Sequence, residues 1–192
     1  MCQCAHIGTS EKDMPAATHE EAPGRSAFLT GGEASAWLAA RGLVEEPVPE
    51  ARSGCFFQFA PRPIFVSPRA LFGALLAEAG VFEGGLLRLR NWHFEGGCQC
   101  DPTASYRRGR GDARPLRQVP GFVFGADERM DAADLLALVV ERRWSASFYD
   151  APGRVTLALR GRNQVDVFAG SLVTERRIQH RLVQLGAVLF VP

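Results

Sequence analysis

Residues 144–168 read WSASFYD, APG, RVTLALR, GRN and QVDVF: three apolar stretches set apart by two short breaks. The stretches Trp144–Tyr149, Arg154–Arg160 and Gln164–Phe168 are rich in β-branched and aromatic residues, which suit a pleated, half-buried surface. The breaks Asp150-Ala151-Pro152-Gly153 and Gly161-Arg162-Asn163 are hairpin-length and carry turn residues. A three-stranded antiparallel meander is the expectation. Downstream, Ser171 opens a helix with Ile178, Leu182 and Leu185 on one face, Gly186 stops it, and Ala187–Val191 reads as a final apolar strand.

Upstream of the meander, helices and strands alternate. Thr30 followed by Glu33 has capping-box spacing, and Ala34, Trp37 and Leu38 recur at helical intervals until Gly42. Cys55–Phe59 is short, apolar and aromatic, hence a strand, closed by Pro61 and Pro63. Ser67-Pro68 starts a second helix, because serine caps and proline suits the first helical position. Its stripe is Leu71, Phe72, Leu75, Leu76 and Ala79, and Gly80 ends it. Leu86–Phe94 alternates and reads as a strand, as does Phe122–Phe124, and Asp131 caps a helix that buries Leu135, Leu138 and Val139. The fold class is α+β: a mixed or antiparallel sheet, about four helices, and the meander followed by a helix and a last strand.

The chain has 192 residues, in the range of one domain. Residues 1–27 lack a hydrophobic period and read as a flexible leader to a single domain spanning 28–192. Basic residues number 22 against 21 acidic ones, for a net charge of +1, which argues against nucleic-acid binding over the whole surface. All but Lys12 of the basic residues are arginine and they are scattered, as a GC-rich genome produces. No apolar run reaches the roughly 18 residues of a membrane span. Met1–Ser10 has no basic region leading into an apolar one, so neither secretion nor a membrane is expected.

Three groups of residues could carry chemistry. The five cysteines include two Cys-x-Cys pairs, Cys2/Cys4 and Cys98/Cys100. With His93 and Cys55, the second pair offers four ligands of the types that hold structural zinc. The one-residue gap is shorter than the usual zinc spacing, and ordinary loop thiols are the other reading. A basic loop, 96–118, is polar, glycine-rich and without period. In it Arg107, Arg108 and Arg110, with Arg114 and Arg117, face acids only at Asp101 and Asp112. They could grip phosphates while Tyr106 stacks on a base, the alternative being a solvated loop. The last helix sets Arg176, Arg177 and Arg181 opposite its apolar stripe, as a docking face or as the polar side of a packed helix. Enzyme signatures are poor: there is no phosphate loop with lysine, no His-Glu-x-x-His and no Gly-x-Ser-x-Gly. A Cys–His nucleophile built from Cys55 or Cys98 is a lesser alternative, and a non-enzymatic protein is expected.

Several segments in order resemble the adenovirus early-region-four 34K proteins and their avian adenovirus relatives. These are Phe57-Gln58-Phe59 with Pro63-Ile64; Trp92 ahead of Cys98-Gln99-Cys100-Asp101-Pro102; Gly121-Phe122-Val123-Phe124; Trp144-Ser145-Ala146-Ser147-Phe148-Tyr149; and Glu175-Arg176-Arg177-Ile178 through Leu182-Val183. The resemblance spans roughly residues 55–190. It implies a viral regulatory adaptor acting in the host nucleus or cytoplasm, which links host proteins to a cullin ubiquitin ligase through elongin. It also implies zinc at Cys98 and Cys100, and nuclear behaviour tied to Arg176, Arg177 and Arg181. The chain departs from the family in being shorter, in having fewer cysteines, and in lacking an elongin-binding box. An RNA- or DNA-binding module built on the arginine-rich loop and the last helix is the alternative.

Overall fold

A computed structural model describes residues 27–45, 55–61, 66–92, 101–161 and 164–190. Along the chain, β1 (Phe28–Leu29), α1 (Gly31–Ala39), β2 (Cys55–Ala60), α2 (Pro68–Glu78) and β3 (Gly85–Asn91) come first. Then follow α3 (Ala104–Gly109), β4 (Gly121–Phe124), α4 (Arg129–Glu141), β5 (Ser145–Asp150), β6 (Val155–Arg160), β7 (Val165–Ala169), α5 (Leu172–Gln184) and β8 (Val188–Phe190). The fold is α+β: among the described residues, five helices pack with an eight-stranded sheet in the order β1-β4-β3-β5-β6-β7-β2-β8, antiparallel at every pairing.

The expected meander is the centre of that sheet. β5 pairs β6 with Phe148 opposite Leu157, and β6 pairs β7 with Leu157 opposite Val167. The first hairpin turns through a bond from the Gly153 N–H to the Asp150 carbonyl (2.8 Å), with Gly153 at φ +73°, a conformation glycine adopts without a side-chain clash. β2 enters the sheet between β7 and β8, with Phe57 opposite Val167 and Phe59 opposite Leu189. Both outermost strands are short, two residues in β1 and three in β8, which limits the row of unpaired backbone groups at each edge.

Alternation divides the sheet into two unlike faces. Phe57, Phe59, Leu87, Phe122, Phe148 and Leu157 lie on the face that forms the main core with α2, α4 and α5, and all are at most 1% exposed. Each such side chain stabilises the fold by roughly 1.5–3 kcal/mol. α2 packs against both α4 and α5. The opposite face is covered in part by α1, where Ala34 and Leu38 meet Leu86 and Tyr149. Elsewhere it mixes polar and aromatic side chains: Ser147, Thr156 and Asp166 are buried there, and so is Phe168, whose ring lies 5.0 Å from that of Phe56. A register shift between Leu89 and Asn91 leaves Arg90 as the extra residue of β3, and its Nε donates to Ser147 Oγ (3.1 Å).

The helix ends follow their local chemistry. Thr30 Oγ1 accepts from the Glu33 N–H (3.3 Å) while the Glu33 carboxylate accepts from the Thr30 N–H (2.7 Å), completing the capping box. Ser67 and Ser171 cap α2 and α5 in the same way through their hydroxyls. Gly42 and Gly186 end α1 and α5 at positive φ. α4 ends in the same Schellman pattern without a glycine: Arg143 takes φ +53°, and the Trp144 N–H reaches the Val139 carbonyl (2.9 Å).

Three expectations need correction. The period-free loop at 96–118 contains α3, a helix of under two turns, too short to display a 3.6-residue stripe. With it the described residues hold five helices, close to the expected four. α4 starts before Asp131: Glu128 is its N-cap, and Asp131 lies in the first turn. Lastly, Phe28–Leu29, read only as the start of the fold, is an edge strand on β4. Of the expected leader, only Ala27 falls among the described residues, and its carbonyl accepts from the Val123 N–H (2.8 Å). Among the described residues no helix is long and apolar enough to cross a membrane.

Candidate functional site

The arginine-rich segment folds around its acids. Asp101 Oδ1 accepts from the Thr103 N–H (2.8 Å) and hydroxyl (2.6 Å), which fixes the carboxylate ahead of α3. Its other oxygen accepts from Arg107 Nη2. Arg107 is 3% exposed, one turn into α3. Arg108 is exposed. Arg110, the C-cap, lies over the Tyr106 ring with its guanidinium carbon 3.8 Å from the centroid, and it pairs with Asp131 and with Glu128 (3.5 Å). Arg114 holds Asp112 (2.5 Å) and donates to the Phe28 carbonyl (2.9 Å). Burial pushes the Asp112 carboxyl up, but the hydrogen bonds from the Arg114 side chain and backbone outweigh it and hold the group below its ordinary range.

Three of the segment's five arginines are therefore ion-paired within the fold. Two of their acids, Glu128 and Asp131, come from the start of α4, more than fifteen residues from the arginine they meet, so linear spacing did not connect them. Tyr106 is half-buried, set edge-on to Phe28 (centroids 6.2 Å apart) and tilted against Phe122 (6.4 Å). Its ring packs on the sheet beneath Arg110.

Of the four candidate zinc ligands, His93, Cys98 and Cys100 lie outside the described residues. Cys55 opens β2 with its backbone opposite Ala169. Among the described residues no group of three or more histidine, cysteine or acidic side chains is placed to hold a metal ion.

α5 is placed as an amphipathic packed helix. Ile178 and Leu182 are buried against the core, and Arg176, Arg177, His180 and Arg181 face outward. Arg177 reaches Glu78 at the end of α2 (3.4 Å), and Arg181 donates to Gln184 (3.3 Å). Arg176 has no ion-pair partner among the described residues. Apolar side chains share this outer surface: Leu172, Val173 and Val183 on α5 are all more than half exposed. Val188 and Phe190 on β8 are comparably open, but on the opposite face of the sheet from α5. Reading α5 for its arginines alone overlooked these residues, whose signal was their position off the Ile178/Leu182 stripe.

A second polar cluster escaped the sequence reading entirely. On the α1 side of the sheet, the Glu45 carboxylate takes Arg88 (2.5 Å) and the Ser35 hydroxyl (3.2 Å), while its carbonyl accepts from Arg90 Nη2 (2.5 Å) and the Tyr149 hydroxyl. These bonds strap residues 43–45 to β3 and β5.

Comparison with protein-family models, curated protein sequences and solved structures gives no match.

Proposed function

We propose that the chain is a non-enzymatic protein-binding adaptor whose docking surface is the outer face of α5. The observation that carries this reading is the distribution of exposed apolar side chains. Of the eight large hydrophobic residues exposed among the described ones, three (Leu172, Val173 and Val183) lie on the outer face of α5 beside its arginines, whereas Val188 and Phe190 of β8 alternate with the core-facing Leu189 and sit on the opposite face of the sheet. Isolated exposed apolar residues are ordinary, but their concentration beside arginines matches the composition of protein interfaces. Arg176, Arg177 and Arg181 give the surface a positive field, so the partner is a protein segment with acidic residues and apolar anchors.

The resemblance to the adenovirus early-region-four 34K proteins supports the same reading. On that basis the partner belongs to the host nucleus, with cullin and elongin components of a ubiquitin ligase the first candidates. Nucleic-acid binding is the less favoured reading, because Arg107, Arg110 and Arg114 are committed to internal carboxylates and Tyr106 packs inward.

Co-purification of the full chain from host cells tests the proposal. The wild-type chain is expected to retain a cullin, elongin or another nuclear protein, and the R176E/R181E variant, which spares the Arg177–Glu78 pair, to lose it without a change in melting temperature. Recovery of nucleic acid in place of any such protein, or equal retention by the variant, would overturn it.

A further inference from the structure

The two edges of the sheet are finished differently. At β1, Phe28 is 7% exposed, its ring packs against Tyr106 and Phe122, and its carbonyl accepts from Arg114 Nη2 (2.9 Å). Arg114 thus closes that edge. β8 lacks such cover: Val188 is 54% exposed and Phe190 47%. Among the described residues no strand lies beyond β8 and no side chain bonds its backbone. From Leu185 to Phe190 the chain holds no charge and no proline, the devices that ordinarily keep a strand edge from pairing. Apolar side chains reach both faces of this edge. Leu189 pairs with Phe59 and, like Leu185, is partly buried against the main core, whereas Val188 and Phe190 stand on the other face beside Ala60 and Gln58.

We propose that β8 is a self-association edge, on which a second copy of the chain pairs antiparallel and joins two eight-stranded sheets into one. A two-fold axis at Leu189 sets Val188 opposite the partner's Phe190, and Phe190 opposite the partner's Val188. These side chains share one face, so each exposed apolar group gains an apolar cross-strand neighbour. On the other face Leu189 meets the partner's Leu189 beside Leu185, which continues the core across the axis. The edge is thereby its own complement, which a charged segment would not be. The net charge of +1 opposes the approach of two copies only weakly. Three paired residues a side fall well short of the roughly 20–30 of a standard interface, so the dimer dissociates on dilution. The pairing lies in the plane of the sheet and does not rest on the adaptor reading of α5.

The test is sedimentation velocity on the full chain in reducing buffer, over about a hundredfold range of concentration around micromolar, with amide hydrogen exchange at both ends of that range. The average mass is expected to climb from that of a monomer toward that of a dimer, and the amides of residues 188–190 to exchange more slowly at high concentration. Val188→Lys and Phe190→Lys, each at a half-exposed position with room for a lysine, should weaken association about tenfold or more. Val81→Lys, in the turn between α2 and β3 where Val81 is 77% exposed, should leave it within about twofold. A monomer at every concentration would overturn the proposal. So would association that survives both β8 variants, or that Val81→Lys weakens equally. Dimer formation without slower exchange in β8 would place the contact elsewhere and overturn it as well. If the β8 variants do not fold, the wild-type mass and exchange measurements decide.

Discussion

Arg110 lies on the face of the Tyr106 ring, 3.8 Å from its centroid, and from there reaches Asp131 at the first turn of α4. One side chain thereby covers the aromatic packed on β1 and β4 and ties the short α3 to a long helix. Positive charge over an aromatic face contributes about 0.5–1 kcal/mol at a partly exposed site, and a partly exposed ion pair adds about 0.2–1 kcal/mol. Arg110→Ala should therefore cost about 1–2 kcal/mol in urea unfolding, and Arg110→Lys should recover only part of it, because lysine lacks the flat guanidinium. Equal stability of wild type and Arg110→Ala would show that this bridge does not hold α3.

The α1 capping box makes a second prediction. Thr30→Ala removes the hydroxyl that accepts from the Glu33 N–H and should cost about 1 kcal/mol. Backbone and side-chain hydrogen bonds with Thr30 hold the Glu33 carboxyl below its ordinary 4.5. A lowered folded-state pKa contributes stability that is present above pH 4.5 and lost as the pH falls through the folded value. Glu33→Gln should flatten that part of the acid unfolding curve, and an unchanged curve would contradict the assignment.

Asp150 should behave in the opposite sense. It is 2% exposed at the end of β5, and burial pushes its carboxyl up against the opposing pull of Arg154, whose Nε is 3.1 Å away. Arg154 is raised by the hydrogen bond to Asp150, an effect that favours the ion pair, but at 29% exposure it is the better solvated partner. Burial of the carboxylate is the deciding influence. Because the folded-state value exceeds the ordinary 3.8, the folded chain binds the proton more tightly than the unfolded chain. Stability from this group is greatest below pH 3.8 and declines as the pH rises through the folded value. Measured against Asp150→Asn, the wild-type chain should lose relative stability over that rise; a relative gain would reverse the assignment.

The start of β3 accepts no side chain. A Cβ on Gly85 would sit 2.5 Å from Phe148 Cζ and 2.7 Å from the Tyr149 carbonyl oxygen, which lie on the neighbouring strand β5. Gly85→Ala should destabilise by about 1–3 kcal/mol through overpacking. Phe148→Ala, which empties a fully buried position, should cost about 3–5 kcal/mol. If the double variant lost the full sum of the two single losses, the clash with Phe148 would not be the cause; partial compensation is expected.

Local chemistry made much of this fold legible before any coordinates. Capping serines and threonines, glycines at helix ends and paired turns act over three to six residues, so α1, α2, α5 and the β5–β6–β7 meander follow from nearby sequence alone. α3 was hidden for the same reason reversed: six residues are too few to show a period, and its anchors, Phe28, Phe122 and Asp131, are distant in sequence. Arg110 looked free because its acids, Glu128 and Asp131, arrive from the start of α4.

Sequence alone thus determined which stretches become strands and capped helices, and that the chain carries a basic segment and an arginine-bearing last helix. Only the tertiary structure decided that β2 lies between β7 and β8, that Arg107 is buried against Asp101, and that α5 keeps Leu172, Val173 and Val183 in solvent. The physical reason is range. Hydrogen bonds at helix ends and turns close over a few residues, whereas burial and charge pairing depend on partners that only the folded sheet brings together.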